Sequence, residues 1–115
     1  MEELISVDTI IDWIKEQIAH KREVPPSVLM DAVTKLTVLM GDETDKLYEF
    51  QQKVAHLKVL YIEQDQSATE AKIRVEASDI YKLMMQQKSK IDRIIEFIRI
   101  MKVRAKLKIG EANSY

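Results

Sequence analysis

At 115 residues, 46% hydrophobic and 32% charged, the chain has the size and balance of one globular or coiled-coil domain. The lack of cysteine excludes a disulfide framework and thiolate chemistry, the two isolated histidines, His20 and His56, form no metal cluster, and no apolar run approaches the length of a membrane span. The net charge of −1 hides an asymmetry: from residue 87 onward eight Lys or Arg stand against three acids, which gives that end +5 and the rest −6.

With two Gly and two Pro there are few turns to place, so regular helix is expected to dominate. A first helix is predicted over 7–21, with Asp8 as N-cap and Ile10, Ile11, Ile14 and Ile18 as an apolar stripe bordered by Trp13. Pro25-Pro26 breaks the chain, and Ser27 opens a second helix over 27–40 with Leu29, Val33, Leu36 and Met40 on one face and Ala32 and Leu39 widening it. Gly41 closes that helix, and Asp42-Glu43-Thr44-Asp45 supplies an acidic first turn to a third over 43–64. Its apolar positions Leu47, Phe50, Val54, Leu57 and Tyr61, followed by Gln64, alternate steps of three and four, the spacing of a heptad seam.

A fourth helix is predicted without interruption over 67–108. Ser67 and Glu70 make a capping box at its start, and Gly110 suits a stop before a tail over 110–115. Ile73, Ala77, Ile80, Met84, Gln87, Ile91, Ile94, Ile98, Met101 and Ala105 form its seam, with Gln87 the one polar member, which either fixes register or oligomeric state at such a position or sits at the edge of a loosely packed bundle. The expected fold class is therefore all-α: one domain, built on a long antiparallel, coiled-coil-like helical hairpin with two shorter N-terminal helices packed against it. Those two helices are long enough to cover the overhang of the fourth, within the chain or on a neighbour.

Between Arg93 and Val103 the charges fall every third residue and so spiral around the helix, leaving apolar groups pointing in several directions. Ile95, Phe97, Ile100 and Val103, together with Trp13, are the candidate partner or oligomer interface; for Trp13 the bland alternative is a rim residue packed on the next helix. Arg99, Lys102, Arg104, Lys106 and Lys108 are candidate polyanion contacts, although basic residues near a helix end also answer the macrodipole. With only Phe97 among them, they lack the aromatics of a single-strand stacking platform, and phosphate contacts along a duplex are the remaining nucleic-acid reading. Met30, Met40, Met84, Met85 and Met101 read as core fillers.

Two resemblances bear on function. Glu76-Ala-Ser-Asp79-Ile-Tyr-Lys-Leu is similar to the second acidic motif of the all-helical nucleotide pyrophosphohydrolases related to MazG. That resemblance implies Mg²⁺-dependent hydrolysis of a nucleoside triphosphate with Glu76 and Asp79 as metal ligands. The family's first motif pairs two glutamates a helical turn apart, whereas this chain has Asp42 and Asp45, which capping explains, so exposed acids on the back of the hairpin are the preferred reading. Over residues 45–108, the order Tyr48, Ala71-Lys72, Ala77-Ser78, Tyr81, Lys90, Ile95-Glu96-Phe97-Ile98-Arg99 and Lys102 resembles small helical proteins encoded by bacteriophages, of unassigned role.

The expected function is a non-enzymatic interaction protein, a phage accessory factor that self-associates as a dimer or larger and binds or modulates a host or phage protein in the host cytoplasm. The alternatives are a nucleic-acid-binding recombination or replication accessory protein using the basic C-terminal helix, and the pyrophosphohydrolase. No cofactor and no membrane partner are expected.

Overall fold

A computed structural model describes residues 6–20 and 23–113. It contains four helices, α1 Val7–Ala19, α2 Pro26–Glu63, α3 Ala68–Glu76 and α4 Asp79–Asn113, and no strand among the described residues. The all-α class is as expected, with the long helix α4 packed against α2. The contacts group into two compact units, Met1–Gly41 with Asp92–Tyr115, and Asp42–Ile91.

Ser6, not Asp8, caps α1: its hydroxyl accepts the Thr9 amide at 3.1 Å, and Asp8 lies in the first turn, where a carboxylate faces the positive end of the helix. The helix ends at Ala19 with His20 as C-cap; the predicted end at Lys21 falls outside the described residues. Helix α2 starts at Pro26, one residue before Ser27, because proline's missing amide costs nothing at the first helical position, while the Pro25 carbonyl accepts from Val28 and Leu29 at 3.0 and 3.1 Å.

The predicted second and third helices are one. Gly41 has no left-handed backbone and sits inside α2, so no stop forms there. A glycine in a helix interior costs only about 1 kcal/mol, which is a bias and not a barrier. What overrides it is a seam that passes through the site: Leu29, Val33, Leu36, Met40, Glu43, Leu47, Phe50, Val54, Leu57 and Tyr61 alternate steps of four and three without a slip. The acidic run after Gly41 therefore contains a seam position, and it is not a helix start.

The predicted fourth helix is instead two. At Ala77-Ser78 the Val75 carbonyl is taken by the Ser78 amide at 3.0 Å and by the Ser78 hydroxyl, in place of the amide four residues on. That hydroxyl also accepts the Tyr81 amide at 3.3 Å, so Ser78 caps α4. The interruption changes which side of the chain is inside. Ala71 and Val75 are buried in α3, whereas Ile73 and Ala77, the expected seam members, are exposed, Ile73 by 63%. From Ile80 onward the expected seam faces inward. At the other end Gly110 does not stop α4, which runs on to Asn113; of the predicted tail, residues 114–115 lie outside the described residues.

The link between α2 and α3 closes as a Schellman motif, with the Gln66 amide on the Tyr61 carbonyl and the Asp65 amide on that of Ile62. Gln64 consequently lies beyond the helix and is exposed, outside the seam that was assigned to it. The motif requires a left-handed residue, and Asp65 supplies it at φ 64°. Asp65→Gly is expected to raise stability by about 0.5–1 kcal/mol, the left-handed Cβ penalty less glycine's extra unfolded-state freedom, read from the midpoint of urea unfolding. The capping box at Ser67 and Glu70 forms as predicted, with bonds of 3.1 and 3.2 Å.

The first unit holds the core. Ile10, Ile11 and Ile14 of α1, Leu29, Val33 and Leu36 of α2, and Ile94, Met101 and Ala105 of α4 form one buried cluster. The cover over the end of α4 thus comes from the chain's own N-terminal helices. Leu36, Ile94 and Met101 are its largest fully buried side chains, each worth about 1.5–3 kcal/mol on transfer from water. In the second unit the facing seams of α2 and α4 are half-buried at most positions, and Ile91, Ala71 and Val75 are the buried apolar residues. Arg74 of α3 lies 4.2 Å from the Tyr61 ring centroid, pinning the short helix to the end of α2. Met30 and Met85 are exposed, so neither fills the core as predicted; Met101 does.

Candidate functional site

In the first unit α4 gives its inner side to Ile94, Ile98, Met101 and Ala105 and leaves a second row outside. Ile95, Arg99, Val103 and Leu107 follow one another at steps of four, each advancing about 40° around the axis, so they make a continuous, slowly winding stripe. Ile95 is 50%, Val103 46% and Leu107 62% exposed. Arg99 within the stripe pairs with Glu96, and the hydrogen bond between them holds the Glu96 carboxyl below the usual carboxylate range and pushes the Arg99 guanidinium up. Leu107 was not among the predicted interface residues; its four-residue step from Val103 was the available signal.

Phe97 is placed differently from its companions. It is half-buried against the core, with the Lys15 ammonium 5.9 Å from its ring centroid, and does not join the stripe. Ile100, also half-buried, lies about 60° around the helix from Val103, on the side toward Arg104. There it lines a cavity of about 320 Å³ together with Trp13 of α1 and Arg104 and Lys108 of α4. Trp13 also borders a second hollow of about 290 Å³ between α1 and α2, with Ile10, Val28 and Ala32 in its wall. The structure therefore divides the predicted interface in two, Ile95 and Val103 on the outer stripe, Trp13 and Ile100 at the cavity.

The five candidate polyanion contacts divide in the same way. Lys102 and Lys106 lie beside Arg99, whereas Arg104 and Lys108, two residues further on in each case, lie about 160° around the helix from them. A single phosphate track would meet at most three of the five.

A polar cluster in the second unit was missed. Glu43, 4% exposed, accepts through Oε1 from Gln87 at 3.3 Å, from Lys90 at 3.1 Å and from Lys46 at 3.5 Å, and its carbonyl accepts from Gln87 Nε2 at 2.8 Å. Burial pushes the Glu43 carboxyl up, but the bonds from Gln87 and Lys90 and the charges of Lys90 and Lys46 outweigh it and hold the group below the usual range.

Glu76 and Asp79 are both exposed and fall on either side of the helix interruption, one ending α3 and the other beginning α4. They do not share one face of a continuous helix as their spacing suggests. Among the described residues, no three His, Cys, Asp or Glu side chains come together in a way that could hold a metal ion. No described helix is long and apolar enough to cross a membrane. Comparison with protein-family models, curated proteins and solved structures finds no match.

Proposed function

We propose that the chain is a helical interaction protein that self-associates and engages a protein partner through the outer stripe of α4. The observation that carries this reading is the run Ile95, Val103 and Leu107, exposed in register on a helix whose other side already supplies the core. Aliphatic groups spaced a turn apart along one helix side suit a second amphipathic helix laid alongside. Lys102 and Lys106 beside the stripe favour a partner surface with acidic edges. Nucleic-acid binding has less support, because the cations divide between two flanks. The phage accessory role and the cytoplasmic setting rest on the resemblance of residues 45–108 alone.

The test is the solution mass of wild type and of Ile95→Glu/Val103→Glu by light scattering on a sizing column, with far-UV circular dichroism as the folding control. The wild type is expected above the 13.4 kDa monomer. Both changes place a charge on the contact, so association is expected to weaken at least tenfold. A wild type that stays monomeric, or a folded variant that associates as the wild type does, overturns the reading.

A further inference from the structure

We infer that the cavity at the end of the first unit is a binding site for a small apolar acid, a molecule with one anionic head and a hydrocarbon body. Three chain segments come together there: the last turns of α1 bring Trp13 and Ile18, the start of α2 brings Leu29, and α4 brings Met101. Ile14, Leu29 and Met101 in its wall are buried, so the floor is hydrocarbon, with half-buried Gln17 a neutral polar member of the lining. At a liquid's roughly 30 Å³ per heavy atom, the space of about 320 Å³ suits a body of about ten carbons, at the small end of ligand cavities.

The charged residues in the lining remain in contact with water, which puts them at the mouth. Arg104 and Lys108 stand one turn apart on the same side of α4, and neither has an ion pair among the described residues. The last turn of α4 holds no basic residue, so the two cations are not explained as partners of the helix terminus. Glu23 is the one acid in the described lining, which leaves a surplus of one positive charge. Two cations against one acid in the described lining fit an anionic head. Inorganic phosphate would leave the hydrocarbon wall uncovered, and a neutral hydrocarbon would gain nothing from the cations. The site is separate from the outer stripe, and its test does not depend on self-association.

Trp13 is the only tryptophan in the chain and lines the cavity, so its emission reports filling directly. Decanoate, decanol and inorganic phosphate would each be titrated into the full chain below micellar concentrations, with calorimetry beside fluorescence. Decanoate is expected to give a saturable change and to bind about tenfold more tightly than decanol, with phosphate inert. Arg104→Gln and Lys108→Gln should each weaken decanoate about tenfold and leave decanol unchanged, as expected for loss of a charge-assisted bond. Glu23→Gln should tighten decanoate. Equal affinity for acid and alcohol, unchanged affinity in both folded glutamine variants, or neither emission change nor heat with decanoate overturns the inference.

Discussion

Leu36→Ala is expected to lower the unfolding free energy by about 3 kcal/mol, measured by urea unfolding followed by far-UV circular dichroism. Leu36 is 0% exposed and belongs to the cluster that joins α1, α2 and α4 in the first unit, so its loss removes apolar burial and leaves a void among residues tied to three helices. Part of the cost depends on how far those helices collapse into the space, and rigid seams on both sides limit that collapse. Ile94→Ala should behave alike, and the double replacement should cost less than the two singles together, since both empty one core. Val38→Ala, on the exposed side of α2, is the control and should stay within about 0.5 kcal/mol of wild type. A Leu36→Ala protein that also stayed within that range would contradict the arrangement of the first unit.

The second large effect concerns the buried carboxylate. Glu43→Ala is expected to cost about 2 kcal/mol, because Gln87 loses its side-chain acceptor and Lys90 its counter-charge, the latter softened by the partial exposure of Lys90. A double-mutant cycle with Gln87→Ala should return a coupling near 1 kcal/mol. Replacing both positions by leucine should have the opposite sign, raising stability toward that of an all-apolar seam while removing the feature that marks its register. The sign of the pH dependence follows from the direction of the shift. The Glu43 carboxyl is held below its ordinary value in the folded chain, so its contribution is complete above the unfolded-state value and is lost as pH falls through the folded one. Stability of the wild type relative to Glu43→Gln should therefore shrink on acidification, and melting curves across that range that stayed parallel would refute the role given to this carboxylate.

This pair also shows what the sequence made legible and what it hid. Gln87 stood out as the one polar member of the α4 seam, and the structure gives it a partner that is the one polar member of the α2 seam. The stepping Met40, Glu43, Leu47 was present in the sequence, but Gly41 and the acids after it satisfied the rules for a helix end and start, and those local signals concealed the longer period. The error at Ala77-Ser78 was of the reverse kind. Ile73 and Ala77 continue the seam arithmetic without a slip, yet a serine hydroxyl that competes for the Val75 carbonyl ends the hydrogen-bonded run, a preference that periodicity does not register. The inward row of α4 from Ile80 to Ala105 was legible because its spacing is sustained over seven steps. The cavity was not, since it arises where three helix segments diverge, and no spacing within any one of them encodes its volume.

The short helix α3 has a consequence of its own. It has nine residues and a cap at each side, and is held by two small buried side chains, Ala71 and Val75, and by Arg74 on the Tyr61 ring. A helix of that length has little stability in isolation, since nucleation is costly and few hydrogen bonds follow it. The serine caps at Ser67 and Ser78 also let it detach without disturbing the ladder of α4, which begins afresh at Asp79. It is thus expected to open as a segment in its own right, at a lower free energy than the helices around it, with its amides exchanging through local excursions ahead of global unfolding.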